Sequence, residues 1–224
     1  FIPHKKLIKE FADNGLPMSR IIPSGIPVRR DFYNKTEPQK AKRTLSLPQD
    51  KRVALLMCGS MGWGPIKDLA ELLPQQLPED ALLVIICGNN VKLYRSLTKY
   101  PLPDNVRVIG FTSRMPLYMD AAELILTKPG GLSTTEAAVK GLPMIFIDAV
   151  PGCETRNIEF FISNGCADMR EGAIKLCDAV CDYLEIPSKL HKMSQTLKDE
   201  FSGCAAEIIR EHIVKDADCV YGRL

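Results

Sequence analysis

Five short apolar runs constrain this chain most: RVALLMC (52–58), ALLVIIC (81–87), VRVIGF (106–111), ELILT (123–127) and PMIFI (143–147). Each is rich in valine, isoleucine and leucine and lacks polar alternation, so each reads as a strand buried on both faces. Helical patterns lie between them: IKDLAELLPQQL (66–77), VKLYRSLTKY (91–100), RMPLYMDAA (114–122) and LSTTEAAVK (132–140). Strands alternating with helices at this spacing predict an α/β fold, a doubly wound, Rossmann-like parallel sheet with helices on both faces. A chain of 224 residues holds one such unit with attachments.

The attachments read differently. FIPHKKLIKEFADNG looks like a strand end and a short helix, and SRIIPSGIPVRRDFYN like a second strand followed by a stretch punctuated by proline and glycine. Two strands alone make no stable sheet. Residues 1–24 are therefore expected to be the last elements of a domain preceding Phe1, with 25–38 as linker, 39–200 as the main domain and 201–224 as a terminal helix and tail. After residue 170 the chain reads as helical throughout. The start at Phe1, without a methionine or a polar lead-in, also points to a piece of something longer.

Lysine and arginine exceed aspartate and glutamate by only 29 to 27, which gives no reason to expect a nucleic-acid partner. Residues 1–52 hold twelve basic and five acidic side chains, a surplus of seven; with the chain at +2, the remainder stands at −5. Such a surplus is either a solvated face or an attraction to anionic lipid. The eight cysteines sit in apolar runs or singly on helices, as in a reduced, cytoplasmic protein. Cys177 and Cys181 share a helix face, but no second pair completes a zinc site, and the DAD at 216–218 lies in a polar tail. No apolar run approaches the roughly 18 residues of a membrane span, so any membrane contact is expected to be peripheral.

Ligands of doubly wound sheets bind outside the carboxyl ends of the strands. The loops there read GSMGWGP, GNN, GFTSRMP, TKPGGLSTTE and DAVPGCETRN. CGSMGWGP leads from a strand into a helix, whose free N-terminal amides favour an anion. It is neither a Walker loop nor a G-x-G-x-x-G fingerprint. KPGGLSTTEAA repeats the device. There Ser133 to Glu136 fits the S-x-x-E capping box, which by itself accounts for the acid. Capping does not require Gly130 and Gly131, which let backbone approach a ligand, and Glu136 can both cap and accept the hydroxyls of a sugar diol. Glu154 and Asn157 lie three apart at a helix start, where acids are ordinary. A diphosphate-sized anion site, an acid suited to a diol and a polar pair on one rim point to a sugar nucleotide.

This combination resembles the carboxyl-terminal half of glycosyltransferases with the two-domain GT-B fold. It is most similar to the monogalactosyldiacylglycerol synthases and processive diacylglycerol glucosyltransferases, relatives of the peptidoglycan lipid-linked N-acetylglucosaminyltransferase. The resemblance rests on GIPV (25–28), GSMGWGP (59–65), GFTSRMPLYMDAAELILTKPGGLSTTEAAVKGLPMI (110–145) and PGCETRN (151–157), and covers almost the whole chain. It implies that Gly59, Ser60, Met61 and Gly62 lie against the diphosphate of a UDP-sugar. Phe111, Thr112 and Met115 would edge the uracil, and Gly130, Gly131, Ser133 and Thr134 would line the phosphate and ribose. Glu136 would take the ribose hydroxyls, and Glu154 and Asn157 the hexose. Cys153 stands where the family usually has glutamine, which leaves the choice between UDP-glucose and UDP-galactose open.

The implied reaction moves a hexose to diacylglycerol with inversion and makes a membrane glycolipid without metal or other cofactor. Residues 39–200 would bind the UDP-sugar, 1–24 would end the acceptor domain, and 201–224 would cross back to it. That missing domain would hold the acceptor and the general base. His4 is therefore a poor candidate for the base, and no catalytic residue is assigned within this chain. The expected place is cytoplasmic, peripherally associated with an anionic membrane surface. Two other readings stay open: a UDP-GlcNAc-using relative, whether cell-wall transferase or epimerase, and a non-catalytic UDP-sugar-binding subunit that works with a separate acceptor-domain partner.

Overall fold

The computed structural model describes residues 1–57, 65–149, 152 and 154–221, with the backbone alone at 218–221. The expected phosphate-loop residues Gly59, Ser60, Met61 and Gly62, together with Cys58 and Cys153, lie outside the described residues. Six strands, β1 Arg52–Met57, β2 Ala81–Ile86, β3 Val106–Ile109, β4 Leu124–Thr127, β5 Met144–Phe146 and β6 Ala167–Met169, form one sheet in the order β3-β2-β1-β4-β5-β6. Every neighbouring pair is parallel. The strand order reverses direction between β1 and β4, which makes that crevice the topological switch point. The helices are α1 Ile8–Asp13, α2 Pro38–Thr44, α3 Ile66–Gln76, α4 Val91–Leu97, α5 Met115–Ala121, α6 Gly131–Lys140, α7 Thr155–Ser163, α8 Ala173–Glu185, α9 Pro187–Glu200 and α10 Ala205–Tyr221.

The absence of polar alternation is explained by two cores. Val53, Leu55, Val84 and Ile125 face one layer, closed by Met119 of α5, Ala137 of α6 and Leu197 of α9. Their neighbours Ala54, Leu56, Leu83 and Leu124 face the other, closed by Leu69 of α3, Leu93 of α4 and Val180 of α8. The amino ends of the two switch-point strands are clamped by a buried lysine. Lys42 donates to the Lys51 carbonyl at 2.8 Å and to Glu123 at 3.0 Å, while Glu123 accepts from the Val53 amide.

The structure departs from the sequence reading in one expectation and adds two elements. The opening segment forms no strand; it consists of short 3-10 turns and α1, although Ile2 exchanges backbone hydrogen bonds with Ile22 and Gly25 at 2.8 and 3.2 Å. Pro3, Pro17, Pro23 and Pro27 remove the donors that a ladder there would need. Residues 167–169, which the sequence reading left unassigned, contribute β6, a three-residue edge strand. Helix α2, just past the expected linker, was not anticipated: the Glu37 side chain accepts from the amides of Gln39 and Lys40 at 3.0 and 2.8 Å, and Pro38 takes the first helical position. At the other end α10 returns to the opening segment. The ring of Phe1 lies edge-on to His212 at 5.8 Å, and the Ala205 amide donates to the Tyr33 hydroxyl at 3.4 Å.

Candidate functional site

At the switch point β4 ends at Thr127 and the chain runs through Lys128, Pro129 and Gly130 into α6. Gly130, in an extended conformation, takes the position before the first helical residue and no side chain caps the helix. The first backbone bond into the helix is from the Thr134 amide to the Gly130 carbonyl at 3.0 Å, so the amides of Gly131, Leu132 and Ser133 have no acceptor among the described residues. The expected capping box is therefore not formed. Ser133 is already the third residue of the helix, and Glu136 sits in the second turn, out of reach of the cap amide. The threonine hydroxyls do not replace it. Thr134 donates to the Gly130 carbonyl at 2.8 Å and Thr135 to the Gly131 carbonyl at 2.6 Å, which leaves the amides open. An uncapped helix start at a switch point presents donors and the positive end of the helix dipole to an anion.

Acidic groups surround this turn. Glu136 is half-buried and makes no hydrogen bond among the described residues. Burial pushes its carboxyl above the usual range, and the Arg29 guanidinium from the GIPVRR stretch pulls it part of the way back. Glu154 stands at the start of α7, with one carboxylate oxygen 3.9 Å from where a β-carbon on Gly130 would lie. Asn157 donates to the Pro129 carbonyl at 2.7 Å, so it holds the glycine turn in place. Lys128, whose role the sequence left open, is mostly buried and pairs with Asp148 at 3.4 Å across the ends of β4 and β5.

The structure thus brings Gly130, Gly131, Glu154 and Asn157 together at one turn, with Ser133, Thr134 and Glu136 on the helix that leaves it. Phe111 and Thr112 follow β3, three strands from β4. With strands about 4.8 Å apart, a ligand touching both groups must span roughly 14 Å. Phe111 is 72% exposed, Thr112 accepts from the Arg114 amide at 3.1 Å, and Met115 begins α5 with its side chain partly on the core. Arg29 and Asp148 were not singled out in the sequence, because their partners Glu136 and Lys128 are distant along the chain. Among the described residues no group of three His, Cys, Asp or Glu side chains is placed to hold a metal ion, and no helix is long and apolar enough to cross a membrane.

Beside the turn, a cleft of about 670 Å³ runs from Gly131, Thr134 and Asn157 to Leu7, Phe11 and Phe160. His4 lies in its wall, and both ring nitrogens are engaged: Nδ1 accepts from the Lys6 amide at 3.2 Å, so Nε2 carries the proton toward the Glu200 carbonyl at 3.3 Å. Burial between Phe160 and Phe201 pulls its pKa below the ordinary value of 6.5, against the partial restoring effect of Glu200. The folded chain therefore binds this proton less readily than the unfolded chain. The stability contributed by His4 is present above about pH 6.5 and is lost as pH falls toward the lower folded value. Thermal melts between pH 7.5 and pH 5 are expected to fall less steeply for His4→Gln than for the parent, once the carboxylate contribution common to both is subtracted; equal slopes would contradict the reading.

The fold defines a class, the GT-B-like parallel α/β domain. HepE of Anabaena, solved in complex with UDP-glucose, shares the fold with a TM-score of 0.60 at 15% identity, over 96% of this chain and 62% of that one. Residues 53–152 match the profile of the glycosyltransferase family 28 C-terminal domain. The chain is 30% identical over 93% of its length to the processive diacylglycerol beta-glucosyltransferase of Bacillus licheniformis, covering 55% of that protein. It is 32% identical over 87% of its length to monogalactosyldiacylglycerol synthase 1 of Arabidopsis thaliana, covering 38% of that protein. The chain spans about half or less of the length of these curated relatives.

Proposed function

We propose that the chain is the donor-binding part of an inverting glycosyltransferase that moves a hexose, glucose or galactose, from a UDP-sugar to diacylglycerol. The observation that carries this reading is the uncapped start of α6 at the switch point, with Glu136 and Glu154 beside it. In the transition state the acceptor hydroxyl attacks the anomeric carbon as the diphosphate leaves. The amides of Gly131, Leu132 and Ser133 meet the growing negative charge, and fixed donors aimed at developing charge lower the barrier. Glu136, held near Arg29, accepts the ribose hydroxyls, and Glu154 faces the hexose across Gly130. Asn157 acts as a positioning residue through its bond to Pro129. The loop 59–62 completes the diphosphate site, and Phe111, Thr112 and Met115 edge the uracil.

The reaction draws on no metal or other cofactor, since helix-terminal amides supply the charge stabilisation. The acceptor and the general base belong to a further domain, for which residues 1–24 supply the last elements, 25–38 the linker and 201–224 the returning helix. The enzyme acts at a membrane surface as a peripheral protein. The kinship with diacylglycerol glycosyltransferases favours this over a UDP-GlcNAc enzyme or a non-catalytic subunit. Glu136→Ala tests the assignment by calorimetry with UDP. A charged acceptor of hydroxyl donors contributes roughly 1.5–3 kcal/mol, so affinity is expected to fall about ten- to a hundredfold. Stability is expected to hold within about 0.5 kcal/mol, because the residue caps nothing. A loss of stability with unchanged affinity would return Glu136 to a structural role.

A further inference from the structure

Five of the twelve basic residues of 1–52, Lys5, Lys6, Lys9, Lys42 and Arg52, are held in ion pairs within the chain. Of the cations that form no ion pair among the described residues, one group lies along the β3 edge of the sheet. From 91 to 107 the chain carries Lys92, Arg95, Lys99 and Arg107 against the single acid Asp104. All four basic residues are exposed, and none forms an ion pair among the described residues. Exposed apolar groups lie among them: Val91, Tyr94, Leu102 and Tyr100, the last 69% exposed with Lys99 lying 5.2 Å over its ring. The patch continues toward the donor rim, because Tyr94 packs 3.8 Å from where a β-carbon on Gly110 would lie and Gly110 precedes the exposed Phe111.

The open edge of β3 is not free to accept another strand. Arg107 folds back and donates to the carbonyls of Asp104 and Val106 at 3.0 and 2.8 Å, which blocks part of the edge backbone. A partner must therefore meet the side chains, cations interspersed with tyrosines and aliphatic groups. A polyanion alone would not account for the apolar members, whereas tyrosine and long basic side chains suit the boundary between headgroups and acyl chains. We propose that the face formed by α4, the 98–105 turn and β3 docks on an anionic bilayer surface, with Lys92, Arg95 and Lys99 on the headgroups and Tyr94, Tyr100 and Leu102 at the acyl boundary. The choice of a bilayer rests on the glycolipid-forming reading above. The location of the face rests on charge and exposure alone. Docked this way, the membrane lies on the side of the donor cleft that carries Phe111.

The 224-residue chain is tested by sedimentation with phosphatidylcholine vesicles containing about one third phosphatidylglycerol, with pure phosphatidylcholine for comparison. Each cation near an anionic leaflet contributes about fivefold in affinity, so K92Q/R95Q/K99Q is expected to bind the anionic vesicles roughly a hundredfold more weakly. Tyr100→Ala is expected to weaken binding severalfold. K35Q/K40Q/R43Q, which removes as many charges around α2 on the opposite face of the sheet, is expected to change it less than about twofold. UDP affinity of the first triple variant is expected to match the parent, which separates failure of docking from failure of the donor site. The proposal is overturned if the parent chain ignores anionic vesicles, if both triple variants lose equally, or if the parent binds duplex DNA but no vesicles.

Discussion

Lys140→Met is expected to cost about 3–5 kcal/mol of stability, the largest single loss outside the hydrophobic core. Lys140 is the last residue of α6, and its side chain is 1% exposed. Its ammonium donates to both carboxylate oxygens of Asp120 at 2.8 Å and to the Asn34 carbonyl at 2.5 Å, while Asp120 also accepts from the Thr36 amide at 3.1 Å. One ion pair therefore joins α5, α6 and the 34–36 segment. Removing the cation strands a buried carboxylate, which is why the cost exceeds that of an exposed pair at about 0–1 kcal/mol. Adding Asp120→Leu to the variant is expected to recover part of the loss, because the stranded charge is then gone. Urea titrations of the single and double variants measure this, and a single-variant loss below about 1 kcal/mol would show that the pair is solvated.

The second large effect separates ligand binding from stability at the glycine turn. A β-carbon at Gly131 meets no atom within 4 Å, and its φ lies outside the left-handed region, so the fold accepts a side chain there. Gly131→Asp places an acid in the first turn of α6, which suits the helix dipole and is expected to raise stability by about 0.3–1 kcal/mol. The same carboxylate faces the proposed diphosphate. At about 4 Å and an effective dielectric constant near 20 the repulsion is roughly 4 kcal/mol, so UDP affinity is expected to fall at least about a hundredfold. Gly131→Ala, which adds bulk without charge, is expected to lose less than about tenfold. If affinity survives the acid, Gly131 serves only the strand-to-helix turn.

The five sequence runs were legible as strands because burial on both faces leaves a short unbroken apolar signature. Strand β6 has none: Asp168 is at its centre, on the sheet edge, where Arg170 and the Tyr183 hydroxyl satisfy the carboxylate. The opposite error arose at SRIIPSGIPV, where apolar residues bury against other elements but prolines prevent a ladder. The S-x-x-E motif misled for a tertiary reason. Strand β4 delivers the chain to Gly130 already extended, and the helix begins two residues ahead of the serine. That correction strengthens the functional reading of Glu136, which loses the structural task that would have explained it. Pairings between distant segments, Arg29 with Glu136 and Lys128 with Asp148, leave no local trace and were visible only in the fold.

The central claim is that the rim at the switch point is built for a uridine diphosphate. Calorimetry of the chain with UDP, ADP and GDP under identical salt tests it most directly. UDP is expected to bind at least about tenfold more tightly than the other two, since a base-edge preference of about 1.4 kcal/mol suffices for that ratio. Equal affinity for all three nucleotides, or no binding of UDP, would contradict the account.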